Sequence, residues 1–198
     1  MSYPYRVVIS HSISESVTIE DESRNDVILT EYLPKERMKD ILRDALERRG
    51  WTKVDDDHYA REGDRGETMV FDLEEGAVIT SVNITETMEK EKTVTARGAG
   101  RSHARKAELR ERVKQKLEKQ LKFTEEERTE KKDEIQEKAS QVLSETENSR
   151  KEELNDILMD VYAESLREKA KTLGQVVSIE ENRSDDGTVF EMQIKIEE

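Results

Sequence analysis

From Arg101 to Leu173 the chain runs for 73 residues without a glycine or a proline. Nothing in that stretch interrupts helical hydrogen bonding, and Ala, Glu, Lys, Leu and Arg dominate it. As one rod it would be about 110 Å long at ~1.5 Å per residue. Two capping-box patterns, Thr124 with Glu127 and Ser149 with Glu152, predict that it is cut into two or three helices instead. The apolar columns change at the same places. Leu109, Val113, Leu117 and Leu121 step by four, whereas Ile135, Ala139 and Val142 step by four and three. Leu154, Ile157, Leu158, Val161, Tyr162 and Leu166 form a broader face, so the last helix is expected to be the best buried.

The flanking segments read as β-rich. Tyr5, Val7 and Ile9 alternate at the start of one or two strands over residues 5–19. A polar turn is expected at Asp21–Asp26, followed by the short apolar run Val27-Ile28-Leu29. Leu33-Pro34 opens a helix, because proline suits a first turn whose N–H groups lack partners. Met38, Ile41, Leu42, Ala45 and Leu46 fall on one face of that helix, and Gly50 stops it before Trp51. A meander follows, with Tyr59 in a short strand and a turn at residues 62–66. Met69, Phe71 and Leu73 then alternate, Glu74-Glu75-Gly76 turns the chain, and Val78, Thr80, Val82 and Ile84 alternate again. Arg97-Gly98-Ala99-Gly100 reads as a hinge. After Gly174, residues 176–181 and 188–197 form a hairpin, in which Phe190, Met192, Ile194 and Ile196 make one apolar face. A lone hairpin is marginal in water, so it must pack on the preceding helix, join the N-terminal sheet or pair with another chain.

The expected fold is therefore α+β. A strand–helix–meander domain occupies 1–96, a protruding antiparallel helical or coiled-coil arm 97–173, and a β-hairpin 174–198. Composition agrees: 33% of residues are hydrophobic and 41% charged, the signature of long solvated helices rather than one large core. The chain has no cysteine, which excludes disulfides and thiol chemistry, and the N-terminus lacks a signal-length apolar run. With no stretch able to span a bilayer, the expected location is the cytoplasm.

A net charge of -13 argues against general binding to a phosphate backbone. Within it, residues 97–122 hold ten Lys or Arg against three Glu. Arg101, Arg105, Lys106, Arg110, Arg112, Lys114 and Lys116 could hold an anionic partner, nucleic acid included. The simpler reading is charge pairing with the acidic segment 125–137, and no aromatic side chains interleave the basic ones for base stacking. His11, His58 and His103 lack mutual ligand spacing, and Asp55-Asp56-Asp57-His58 reads as a solvated turn. Asp185-Asp186-Gly187 is hairpin turn chemistry without the glutamate of a calcium loop, and Gly98-Ala99-Gly100 lacks the residues of a phosphate loop. No cofactor, metal or catalytic group is expected.

The segment Leu173-Gly174-Gln175-Val176-Val177-Ser178-Ile179-Glu180-Glu181, with Asp186-Gly187-Thr188-Val189-Phe190-Glu191-Met192, resembles accessory domains of certain bacterial three-component systems. Those systems are built around an AAA+ ATPase of the FtsH or MoxR type. The helix ending in Arg49-Gly50-Trp51 before a meander is similar too. The resemblance implies a non-enzymatic adaptor or substrate-side component working with the ATPase, and it carries no functional residues over. Long, acidic, cysteine-free helices capped by β structure also resemble nucleotide-exchange and prefoldin-type cochaperones, with no motif that decides it.

The residues alone favour a non-enzymatic interaction protein working through helix-face and strand-edge contacts, with a homodimer among the expected assemblies and the face Leu154, Ile157, Leu158, Val161, Tyr162 and Leu166 as anchor. The alternative is a nucleic-acid-associated module using the basic helix 101–122.

Overall fold

A computed structural model of the protein describes residues 4–99, 103–183 and 190–197, with side chains over 6–98, 107–182 and 191–197. The elements are β1 (Pro4–Asp26), α1 (Lys35–Arg48), β2 (Thr52–Lys53), β3 (His58–Glu62), β4 (Glu67–Asp72), β5 (Ala77–Ala99), α2 (His103–Gln120), α3 (Glu125–Leu173), β6 (Gln175–Arg183) and β7 (Phe190–Glu197). The fold is α+β. One sheet has five strands in the order β1-β5-β4-β3-β2, and β6 and β7 form a two-stranded sheet of their own. The chain divides into two compact units, Met1–Glu20 with Asn83–Ala139, and Asp21–Val82 with Ser140–Glu198.

In the second unit, α1 buries the face its sequence spacing marks, Met38, Ile41, Leu42, Ala45 and Leu46. Gly50 ends it at φ +83°, a left-handed conformation that glycine adopts without penalty. The Trp51 N–H then bonds back to the Leu46 carbonyl at 3.0 Å. This places the buried indole edge-on to Phe71, centroids 6.4 Å apart. The meander register sets Tyr59 beside Phe71 and Phe71 beside Val78, so all three project to one side. Leu154, Ile157 and Val161 of α3 complete that core with α1, Trp51 and Met69.

Charged side chains ring the contact. Arg49 reaches Asp160 at 2.7 Å and Asp156 at 3.3 Å, and Arg37 reaches Glu168 at 2.8 Å. Glu153 accepts both the Trp51 indole N–H, at 3.0 Å, and the Arg61 guanidinium. The Tyr162 hydroxyl donates to the Ile28 carbonyl and accepts the Thr30 N–H.

The capping box at Thr124 is present. The Thr124 hydroxyl accepts the Glu127 N–H at 3.1 Å, and the Glu127 carboxylate accepts the Thr124 N–H at 2.8 Å. The one expected at Ser149 is not, and α3 runs unbroken through it. There the polar side chains bond along the helix instead: Thr146 to the Val142 carbonyl, Ser149 to the Thr146 carbonyl, and Arg150 to the carbonyls of Leu143 and Thr146. Arg150 is buried, and its guanidinium also donates to the Ser23 hydroxyl at 2.9 Å.

The buried residues of α3 explain its continuity. Ile135, Ala139 and Leu143 are followed at eleven residues by Thr146, Arg150 and Leu154, and again by Ile157, Val161 and Ser165. An eleven-residue repeat is about 3.67 residues per turn, close to a straight helix, so the buried stripe stays on one face.

Two further differences concern the long strands. The expected polar turn at Asp21–Asp26 is strand, because period-two alternation of covered and exposed side chains persists to the end of β1. Of the expected hinge Arg97-Gly98-Ala99-Gly100, the first three residues lie in strand, the end of β5, and Gly100 lies outside the described residues; the basic helix is described from His103.

Because Ile157 is wholly enclosed, Ile157→Ala should lower unfolding free energy by about 2–5 kcal/mol in a urea titration followed by circular dichroism. A loss below about 1 kcal/mol would mean that α3 does not depend on this contact.

Candidate interaction surfaces

Among the described residues, no group of three or more His, Cys, Asp or Glu is placed to hold a metal ion. The Asp55–His58 segment is a turn. Asp55 accepts the N–H groups of Asp57 and His58, and His58 Nδ1 lies 2.8 Å from the same carboxylate. That hydrogen bond from His58 is the main reason the Asp55 carboxyl lies below its ordinary range, and in return it raises the imidazole. No helix among the described residues is long and apolar enough to cross a membrane.

The residues expected to anchor a partner divide sharply. Leu154, Ile157 and Val161 are in the core, and Leu158, Tyr162 and Leu166 are partly covered. Tyr162 is held further by an edge-on contact with Tyr32, centroids 5.7 Å apart. The spacing that makes this face broad and apolar is the spacing that buries it within the chain.

Of the expected anion-binding set, Arg101 lies outside the described residues, as do the side chains of Arg105 and Lys106. Arg110, Arg112, Lys114 and Lys116 are exposed on α2. Arg112 pairs with Glu108, and Lys114 with Glu118, both one turn away on the same helix. The acidic start of α3 is matched elsewhere. Glu127 binds Lys90 of β5 at 2.6 Å, and Lys90 lies over the Phe123 ring.

Two surfaces emerge, one that was not singled out in the sequence and one whose apolar alternation was. The first is the ribbon of β1 and β5 in the first unit. Odd-numbered β1 side chains and, Lys92 apart, even-numbered β5 side chains are covered, with Val7 and Val17 buried. Ion pairs bring α3 to that covered face: Arg128 to Glu15 at 2.9 Å, and Lys131 and Lys138 to Glu86 at 2.6 and 2.7 Å. The same two lysines flank Glu134 at 2.8 and 2.7 Å, and their hydrogen bonds draw its carboxyl down to about 2. The opposite face is open and lined with hydroxyls. Ser10 meets Thr93 at 2.7 Å, Thr18 meets Thr85 at 2.9 Å, and Ser16 meets Thr87 at 3.4 Å. β1 forms one end of the strand order, so among the described residues its outer row of backbone N–H and C=O groups has no partner strand.

The second surface is the hairpin. Its register sets Val176 beside Ile196 and Ile179 beside Ile194, with Met192 on the same side as the two isoleucines of β7. None of these five is fully buried, and Ile179 is 37% exposed. Leu173 and Val177 next to them are more exposed still. Gly174 joins the ribbon to α3 where a Cβ would collide with Ile196 and the Glu197 carbonyl, so only glycine fits. An ion pair between Arg167 and Glu181 is the second tie.

A family described as FtsH ternary system domain X5 matches residues 1–197. The chain belongs to that family. An X5 domain is an accessory part of an FtsH-based three-component system, as the resemblance of the hairpin and the Arg49-Gly50-Trp51 helix end implies, and the match extends over every element described above. No curated protein and no solved structure matches the chain.

The lysine clamp of this X5 domain carries a pH signature. A depressed carboxyl stabilises the folded state above its unfolded value and stops doing so as pH falls through its folded one. A carbon-detected NMR titration should show Glu134 changing near pH 2, with ordinary glutamates completing their change first around 4.5. A Glu134 midpoint at the ordinary value would mean that the clamp is absent in solution.

Proposed function

We propose that this X5 domain is a non-enzymatic adaptor in an FtsH-type ternary system, and that it docks on a protein component, the AAA+ ATPase foremost, through its C-terminal hairpin. The observation that carries this reading is the apolar face Val176, Ile179, Met192, Ile194 and Ile196, aligned by register and left partly open.

A two-stranded ribbon gains little stability by itself, and its apolar face favours any contact that removes it from water. Burial yields roughly 25 cal/mol per Å² of apolar surface, offset by the cost of ordering both partners. The face is rimmed by Glu181, and the opposite face carries Glu180, Glu191, Lys195 and Glu197. That charge keeps the free protein soluble and limits which partners fit. Strand-edge hydrogen bonding can add to side-chain burial, because only one edge of each hairpin strand is paired within this sheet. The adaptor works in the cytoplasm, and the family's membership in a multi-component system agrees with contact as its mode of action.

The test is co-purification of the full-length protein with the ATPase of its own system, comparing Ile194→Asp with the unaltered chain. Retention should fall at least tenfold, while the melting temperature moves by less than a few degrees, as expected for a partly exposed site. Undiminished retention by the folded variant would rule the hairpin out as the docking surface.

A further inference from the structure

We propose that the outer edge of β1 pairs antiparallel with β1 of a second copy of this chain, about a two-fold axis at Ile13. The inference is independent of the hairpin, since it rests on a strand in the other unit.

Long exposed sheet edges are ordinarily guarded by lysines, prolines or bulges, because their free backbone groups recruit another strand. Over Val8–Ser16 this edge carries no lysine, arginine or proline, and its only carboxylate, Glu15, is matched by Arg128. The stretch is extended throughout and belongs to a 23-residue strand.

The sequence of the edge also complements itself. A two-fold pairing that keeps each face continuous must set odd residues against odd and even against even. Centred on Ile13, the covered face pairs Ile13 with itself, His11 with Glu15, Ile9 with Val17, and Val7 with Ile19. The open face pairs Ser12 with Ser14, Ser10 with Ser16, Val8 with Thr18, and Arg6 with Glu20. Every partner matches in character, and the terminal pair joins opposite charges. Moving the axis to Ser12 sets Ile9 against Glu15, and moving it to Ser14 sets Ile13 against Glu15. Each places the Glu15 carboxylate across from an isoleucine, which cross-strand pairing disfavours.

Charge points to a copy of this chain over an unrelated basic or acidic strand. The molecule is net -13, yet Arg6 through Glu20 holds one arginine against two glutamates, so two such segments meet with little repulsion.

The chain has no cysteine, so single introduced thiols read the register directly. Directly opposed Cα atoms in an antiparallel pair lie about 4.5–5.5 Å apart, within disulfide reach. Full-length protein with Ile13→Cys should therefore form a reducible covalent dimer on mild oxidation. Ser10→Cys should not, because its two copies would lie six residues, about 20 Å, apart along the strands. Light scattering should give the unaltered protein a mass twice the 23.0 kDa of one chain at tens of micromolar.

Should Ile13→Cys disturb folding, the exposed charge pair supplies the second reading. Arg6→Glu should weaken dimerisation about three- to tenfold, since the two-fold axis places the clash twice, and Glu20→Arg in the same chain should restore it. A monomer at every concentration overturns the proposal and leaves the edge to a strand of another protein. A dimer that cross-links through Ser10→Cys as readily as through Ile13→Cys, or one indifferent to the charge exchange, overturns it as well.

Discussion

The second unit depends on one contact, the packing of Leu154, Ile157 and Val161 against α1, Trp51 and the meander strands. The meander and α1 present an apolar floor against which Val27, Leu29 and Leu33 also pack, and α3 is too charged to collapse on itself. Joining them removes both exposed faces from water at once. The ion pairs of Arg49, Arg37 and Arg61 lie around this contact and fix its register more than its strength, because partly exposed pairs contribute little net stability.

That contact determines what is left for partners. It takes Leu154, Ile157 and Val161 from the broad apolar face of α3 and leaves Leu158, Tyr162 and Leu166 partly covered. The hairpin begins directly after α3 through Gly174, and its apolar side remains partly open. In the other unit, the covered face of β1 and β5 is satisfied by α3 through Glu15, Glu86 and Lys90, leaving a hydroxyl-lined face and a free edge. Membership in the FtsH ternary system domain X5 family agrees with a chain whose open surfaces suit contact with other macromolecules.

Much of this fold can be read in the sequence where local chemistry acts alone. Pro34, the five apolar positions of α1, Gly50, the Thr124–Glu127 box and the alternating strands of the meander and hairpin all do so. The undivided length of α3 was hidden because the middle of its buried stripe is polar. Thr146 and Arg150 occupy positions that an apolar-periodicity search treats as surface, and Ser149 with Glu152 mimics a helix start. Counting by eleven through Ile135, Thr146 and Ile157 would have found it. The role of Leu154, Ile157 and Val161 was hidden for a different reason: an amphipathic face shows that a helix must be covered, and not by what. The edge of β1 could not be recognised either, since strand order comes from tertiary pairing and not from alternation.

Hydrogen exchange of the full-length protein, alone and with the ATPase of its own system, reads docking at the hairpin amide by amide. Backbone amides in 175–183 and 190–197 should exchange quickly in the free protein and become protected in the complex, while the α1–α3 core is slow in both. Unchanged exchange in the hairpin, with new protection only elsewhere, would contradict it.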